Sequence, residues 1–546
     1  MNNFQRLKNN NFQIIESLGA ECFIEKIYPT GEIIVNDGKF VQTNKELNYS
    51  LVPLGYIESG KVSVTIKDKE TKLLTRGDFI GLFETVDYLQ SDSVRQIGRW
   101  KLTAEAETKI RFINKKCIDK NIKDSEIQNH LKDLIVADDV PLPITDQPLL
   151  DWVARHTTRE LKNTAIAIHT HLLPNHLPLF EHLASLVGAA NVYIIGKTYS
   201  TDKESELKLK RIGFNVIALN HLANLPYSFA VKGSIEVMWH MILENQGRDE
   251  ISKVLILDDG SDVWTSIPWD KIGDLKIAGT EQTQRGITRI KNTKLSLPPI
   301  VSVATSTLKK EIESYFIGEA VVKKIIKCLE LHDVNQATIG IVGMGSIGST
   351  ICNQLAELGH QIETYDTTFG GKTRDTLDDL INSSDVIIGN TGTDCLQGIA
   401  WNRISGEKIF ISSSSADVEF RTILDFGLFK GEEDFADKEI FIHRDLKVVV
   451  INGGYPINFD RDGNATETSK IIMTRCLIFI GMMQAASLLD SSASGGIYEL
   501  DPTSQKNLFG EWQEMDKELT TIFKSDDIKN TINDLISSED QKTIWY

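Results

Sequence analysis

Over roughly the first hundred residues, apolar and polar positions alternate in short bursts. "CFIEKIY", "EIIVND", "GKVSVTI", "TKLLT" and "KIRFI" each put every second side chain on one face, the period of a half-buried strand. Turn-forming clusters, "NDGK", "ESGK" and "TRGD", separate them. The pattern predicts an all-β roll or barrel over residues 1–118. A charged helix and the Pro-rich "DDVPLPITDQP" predict a linker at 119–149.

Beyond the linker the pattern changes. Solid apolar runs, "NTAIAIHTHLL", "NVYIIGKTYS", "FNVIAL" and "KVLILDDG", alternate with helical stretches such as "NHLPLFEHLASLVGAA" and "IEVMWHMILENQG". Buried strands between helices imply a parallel sheet, here over 150–304. A long helical stretch from 305 to 332 leads into a second series, "TIGIVGMG", "QIETYD", "DVIIGNTG", "KIFISSSS" and "KVVVINGG". Five strands with intervening helices predict a second doubly wound sheet, closing at 464. The segment 465–546 reads as helical and is expected to return to the first sheet and to form oligomer contacts. The fold class is therefore α/β, with two Rossmann-like parallel-sheet domains preceded by an all-β roll.

Composition narrows the function. Apolar residues make up 41% of the 546, enough for full cores. A net charge of -17 repels phosphate backbones, and the Lys and Arg residues are scattered, so no nucleic-acid partner is expected. The six cysteines are far apart with no CxxC, which indicates neither a zinc site nor a disulfide framework. The opening "MNNFQRLKNNNFQ" lacks an apolar core, so a cytoplasmic location is expected. The apolar run "CLIFIGMMQAASLL" (476–489) is too short to span a bilayer and reads as a buried helix, so no membrane partner is expected.

The strongest chemical signal is "IGIVGMGSIGST". An apolar strand feeds into Gly343, Gly345 and Gly348, with a helix starting near Ser346 and Ile347. The first glycine permits a tight turn, the second lets backbone approach a pyrophosphate, and the third lets helix pack on strand. Asp366 ends the next strand, where a carboxylate accepts hydrogen bonds from ribose hydroxyls and repels a 2′-phosphate. The expected cofactor is NAD. The same glycines resemble D-2-hydroxyacid dehydrogenases, but that family's downstream His has no match in this segment, and the resemblance is set aside.

Several stretches in preserved order resemble S-adenosylhomocysteine hydrolases: "IHTHLLPNHLPLFEHLASL", "ILDDGSDVW", "GTEQTQRG", "LPPIVSVATSTLKKEIESYFIGEAV", "IGNTGT", "SSADVEF" and "INGGYPINF". In that family NAD oxidises the substrate's ribose 3′-hydroxyl, homocysteine is eliminated, water adds, and the alcohol is restored. The resemblance implies Asp259 as the catalytic aspartate and His171 as a substrate-contacting histidine. It implies Thr283, Asn390, Thr391, Gly392 and Asn458 around the cofactor. Lys542 and Tyr546 match a terminal Lys-x-x-x-Tyr that reaches a neighbouring subunit's NAD, and a homo-oligomer, dimer or tetramer, is implied.

The departures are on the reactive side. Gln282 stands for the ribose-binding glutamate, and Gln284 and Arg285 replace two threonines. The family's lysine and aspartate fall at Leu308 and Ile312, and sliding by one residue offers Lys309 with Glu313. Ser415 and Ala465 replace two histidines. His169, His171 and His176 read as a strand-end cluster serving packing and hydrogen bonds, with no metal implied. Asp258 reads as a cap of the following turn. The expectation is an NAD-binding protein with a cleft depleted of basic groups, acting on or sensing a nucleoside-like or nucleotide ligand. If active, it is an NAD-dependent adenosylhomocysteinase-like hydrolase or oxidoreductase; the alternatives are a non-catalytic sensor and a true adenosylhomocysteinase.

The N-terminal segment resembles cyclic-nucleotide-binding domains at Gly60, Val62, Gly77, Asp78 and Gly81. Glu84 and Arg99 stand for the ribose and phosphate contacts. The other reading is a ligand-free or cupin-like barrel used for assembly.

Overall fold

The computed structural model describes residues 22–36, 39–40, 54–66, 69–75, 79–80, 100–113, 117 and 147–545, the last with gaps at 158, 160, 218–226, 247–250, 294–296, 333, 335–336, 369–372, 426–435, 460–463, 492 and 538–543. The chain divides into two units, residues 1–147 with 207–212, and residues 148–206 with 213–546.

The first unit is antiparallel, as the alternation requires. Its strands are β1 (Phe23–Tyr28), β2 (Ile33–Asn36), β3 (Lys39–Phe40), β4 (Gly55–Ser59), β5 (Lys61–Ile66), β6 (Lys69–Thr75), β7 (Phe79–Ile80), β8 (Trp100–Ala104) and β9 (Thr108–Ile113). They form a four-stranded sheet, β1-β9-β4-β7, and a five-stranded sheet, β3-β2-β8-β5-β6. Tyr28, Ile34, Ile57, Val62, Leu102, Ile110 and Phe112 make its core. Gly60, at φ +98°, closes the β4–β5 turn tightly on Thr108, where any side chain would collide. Gly77, Asp78, Gly81, Glu84 and Arg99 lie outside the described residues, as does the linker helix expected before residue 147.

One expectation fails here. Cys22 and Cys117 form a disulfide, with Cα atoms 5.5 Å apart. Cys22 immediately precedes β1 and Cys117 follows β9. These strands pair antiparallel with Phe23 opposite Ile113, so the ladder brings together two residues 95 apart in sequence. Cysteine spacing alone carries no trace of that pairing.

The second unit contains β10 (Thr164–Leu172), β11 (Val192–Thr201), β12 (Asn215–Ile217), β13 (Lys253–Asp258), β14 (Lys276–Glu281), β15 (Pro299–Ser302), β16 (Thr338–Val342), β17 (Gln361–Tyr365), β18 (Val386–Gly389), β19 (Gly406–Ser412), β20 (Lys438–His443), β21 (Leu446–Val450), β22 (Gly496–Glu499) and β23 (Ile544–Trp545). One sheet runs β12-β11-β10-β13-β14-β15-β22-β23, parallel except for β23. Its order reverses between β10 and β13. The other runs β17-β16-β18-β19-β21-β20, parallel except for β20, and reverses between β16 and β18. In such sheets ligands bind outside the carboxyl ends of the strands, where the order reverses.

Both faces of each sheet are covered, which is why the strands read as unbroken apolar runs. In the second sheet Ile339, Ile341, Ile388 and Ile411 pack on one side. Val342, Ile387, Phe410 and Val450 pack on the other.

The tail departs from a purely helical reading. β22 joins the first sheet beside β15, and β23 pairs antiparallel with β22 at its edge. The run 476–489 belongs to a 23-residue helix, Thr468–Asp490, which is long and apolar enough to cross a membrane. It is instead a core helix, with 83% of its most apolar window buried by the fold. It packs on β14 and β15, and Gly481 lets Thr280 and Val303 approach its backbone.

Candidate functional site

The glycine turn is built as its spacing implies. Gly343 follows β16 at φ +91°, a conformation that disfavours any side chain. A Cβ on Gly348 would lie 2.0 Å from the Gly343 carbonyl oxygen, so helix and strand touch there. A Cβ on Gly345 would meet nothing within 4 Å. Gly345 is the N-cap of the helix Ser346–Glu357 and has no side chain to offer its first-turn amides. Open space over uncapped amides, with the helix dipole behind them, suits a pyrophosphate. Asp366 follows β17 directly, and its carboxylate accepts from the Met344 amide at 2.6 Å and the Thr368 amide at 2.7 Å. The acid is thus fixed against the glycine turn. These residues fit a dinucleotide.

The opposite wall, after β18, is held from below. Glu419 accepts from the Thr391 amide (2.7 Å), the Gly392 amide (2.9 Å), the Thr391 hydroxyl and the Ser414 hydroxyl. Both loop amides are therefore spent on a buried carboxylate, and their role is to shape the loop. Burial pushes the Glu419 carboxyl up, while these donors pull the other way. Asn390 meets the Ser413 hydroxyl. Asn458 is buried at 3% exposure.

A second cluster lies at the carboxyl end of the first sheet. The register aligns Ile195, His169, Asp258 and Glu281 across four strands, so the residues that follow converge. Asp259 is the centre. Its Oδ1 accepts from Lys197 Nζ at 2.6 Å. Its Oδ2 accepts from Gln282 Nε2 at 2.7 Å and lies 3.2 Å from His171 Nε2. His171 Nδ1 meets the Ser200 hydroxyl. This network assigns the His171 proton to Nε2.

The turn carrying Asp259 is over-determined. Asp258 accepts from the amides of Asp259, Val263 and Trp264, and meets His169 Nδ1 at 3.1 Å. The reading of Asp258 as a turn cap holds, and it also orients His169. Glu281 accepts from the Gly260, Ser261 and Thr283 amides. Thr283 in turn caps the helix Gln284–Lys291. Gly286 is required beside it, because a Cβ would meet the Glu281 carboxylate at 2.2 Å.

The electrostatics sort the cluster. Burial works against the Asp259 charge, but Lys197 and His171 outweigh it and hold the carboxyl well below its usual range. Burial likewise opposes the Lys197 charge, yet Asp259 wins and the ammonium is held above its usual value. Burial pushes His171 down to about 4, against the pull of Asp259. His176 is also pushed well below its ordinary value, by burial first and then by Arg475. At neutral pH the cleft holds the Lys197–Asp259 ion pair, the uncharged imidazoles of His171 and His176, and the Arg475 guanidinium.

The His171 shift has a stability consequence. A folded-state value near 4, below the ordinary 6.5, gives a contribution that is complete above pH 6.5 and lost as pH falls toward 4. His171 alone accounts for a loss on the order of 2 kcal/mol by pH 5. Urea midpoints at pH 7 and pH 5 are expected to separate less in His171→Gln than in wild type; equal separations reject the assignment.

The two sites meet. The His171 ring stacks on Phe459, next to Asn458, at 4.3 Å between centroids. Tyr199 packs on Tyr455 at 5.2 Å and receives the Ala416 amide at 3.3 Å. Loops after β19 and β21 thus lie on the carboxyl ends of β10 and β11, and Asp259 and His171 come together there.

Lys309 has no hydrogen bond or ion pair to Asp259 or His171 among the described residues. It pairs with Glu313 in a π-helical turn, while Leu308 and Ile312 are fully buried core residues. Lys542 and Tyr546 lie outside the described residues.

The expected shortage of basic groups is not met. Lys197, at 2% exposure, and Arg475, at 6%, stand in the cleft. Neither was singled out in the sequence. The available signal was a cation inside an apolar run, "NVYIIGKTYS" and "IIMTRCLIFIG", since such residues are almost never buried without a partner.

Residues 318–394 match the family model described as "D-isomer specific 2-hydroxyacid dehydrogenase, NAD binding domain". This region is an NAD-binding Rossmann domain, and NAD is the cofactor. Two proteins of Mycobacterium tuberculosis, "Uncharacterized protein Rv0104" of strain H37Rv and "Uncharacterized protein MT0113" of strain CDC 1551, are each 25% identical over 366 residues, covering 64% of this chain and 70% of theirs. Among solved structures, "cAMP bound PfPKA-R" is 15% identical over 25% of this chain and 45% of its own, with a TM-score of 0.17. "Sp-2Cl-cAMPS bound to PKAR CBD2" is 17% identical over 24% of this chain and 79% of its own, also at 0.17. At that score neither likeness supports a conclusion about the first unit.

Proposed function

We propose that this chain is an NAD-dependent enzyme that oxidises a hydroxyl carbon of a nucleoside-like substrate held between the two cleft walls. The adenosylhomocysteine hydrolase resemblance supplies the substrate class. The observation that carries the reading is the stacking of His171 on Phe459, which joins the Asp259 cluster to the NAD side.

NAD, when bound, supplies the hydride acceptor. The chain's own residues handle the proton. His171 is uncharged near neutral pH, and its Nδ1 is the accepting nitrogen, reached through the Ser200 hydroxyl. Asp259 holds the other nitrogen and stabilises the imidazolium that forms. Lys197 keeps Asp259 ionised throughout. Gln282 and Thr170 both donate to Asp259, and the Gln282 amide oxygen is the group suited to accept from a neutral sugar hydroxyl. A homo-oligomer, dimer or tetramer, belongs to the same reading.

The test is spectroscopic. NAD-loaded protein mixed with adenosine or adenosylhomocysteine is expected to gain absorbance near 340 nm. His171→Gln is expected to slow that rise by about 10²–10⁴-fold, the usual weight of a general base. Bound NAD with no rise on either compound rejects catalysis in favour of the sensor reading.

A further inference from the structure

Arg475 and His176 have no part in the proton handling described above. Arg475 projects from the core helix Thr468–Asp490, and among the described residues its one direct hydrogen-bond partner is a neutral amide, Asn175 Oδ1, at 3.1 Å. Its Nε has no hydrogen-bond partner among the described residues. The two carboxylates whose fields reach it, Glu313 and Asp259, are already engaged by Lys309 and Lys197. Among the described residues no carboxylate forms an ion pair with Arg475. His176 is 1% exposed, and among the described residues neither of its ring nitrogens has a partner. It follows Asn175 in the chain and sits 6.1 Å from the His171 ring, with its far face on Phe180.

A buried guanidinium without an anion is costly, and buried imidazole nitrogens without partners add to the cost. Such groups call for a partner, and an anionic ligand is one that answers both. We propose that Arg475 and His176 form a subsite for an oxyanion substituent of the ligand, a carboxylate or a phosphate. The substrate is then an acidic nucleoside derivative rather than a neutral nucleoside. Arg475 offers a planar donor fork that matches either oxyanion, and His176 contributes a neutral donor beside it. The location rests on the reading of this cleft as the substrate site.

Calorimetric titration of NAD-loaded protein tests it. Adenosine, adenosine monophosphate and adenosylhomocysteine are compared, with inorganic phosphate and acetate as free anions. Wild type is expected to bind one acidic compound about 10–100-fold more tightly than adenosine, the weight of charged hydrogen bonds. Phosphate competing more strongly than acetate identifies the source as a phosphate, and the reverse as a carboxylate. Arg475→Met is expected to abolish the preference while melting, without ligand, at or above the wild-type temperature, because an unpaired buried charge has gone. His176→Phe, which keeps the stack on Phe180, is expected to weaken the preference in the same direction. Equal binding of neutral and acidic compounds by wild type, a preference that survives in both variants, or a fall in the Arg475→Met melting temperature overturns the proposal. Binding is read without reference to 340 nm, so an anion preference without oxidation sinks only the catalytic reading, and oxidation without preference sinks only this one.

Discussion

Lys197→Met is expected to lower the unfolding free energy by about 3–5 kcal/mol, the usual cost of stranding one member of a buried ion pair. The ammonium lies 2.6 Å from Asp259, and both side chains are at most 3% exposed. Without it Asp259 keeps Gln282, Thr170 and His171, all uncharged at neutral pH, so the carboxylate either stays desolvated or takes up a proton. A double variant, Lys197→Met with Asp259→Leu, removes both charges and is expected to recover most of the loss, since apolar replacements of buried pairs are often near neutral. Denaturant titration measures all three. A single variant within about 0.5 kcal/mol of wild type, the range of ordinary surface changes, contradicts a desolvated pair.

Gly348→Ala is expected to weaken NAD binding by about 10²-fold or more, on the scale of a 1 Å misplacement. The new methyl would sit 2.0 Å from the Gly343 oxygen, backbone that has nowhere to go, so the helix Ser346–Glu357 must lift away from β16. That shifts the first-turn amides relative to Asp366. Gly345→Ala is the contrasting case. Its φ is −66° and its Cβ direction is open, so the melting temperature is expected to stay unchanged while NAD affinity falls through direct obstruction of the pyrophosphate. Fluorescence titration with NAD, beside melting curves, separates the two. Equal melting temperatures and equal affinities for both variants exclude the assigned glycine roles.

Whatever depends on local period was readable. The apolar runs of β10, β13, β16 and β18 appear where expected because each is buried on two faces. The glycine turn was readable because each of its three positions has its own steric reason.

Whatever depends on distant pairing was not readable. Cys22 and Cys117 meet only because β1 and β9 pair, and β22 joins β15 from nearly two hundred residues further along. Lys197 and Arg475 were hidden by their surroundings, each a single charge in a run whose periodicity reads as core. The site was therefore half visible. Asp259 and His171 were expected in one cleft, but the cation that keeps Asp259 ionised comes from the neighbouring strand β11, and its one local mark is a lone charge inside an apolar run.

The first parallel sheet borrows its seventh strand, β22, and its central helix from the far side of the NAD-binding segment. During synthesis the ribosome releases β10 to β15 long before the pieces that cover them. The NAD-binding strands β16 to β21 lie between, complete within their own stretch of chain, and can settle while the earlier strands wait. Domains emerging from the ribosome tend to fold as units, and long-range closure is slow. The newborn chain thus carries an uncovered apolar sheet edge for the time taken to translate some two hundred codons, a period when chaperone protection bears most heavily on yield.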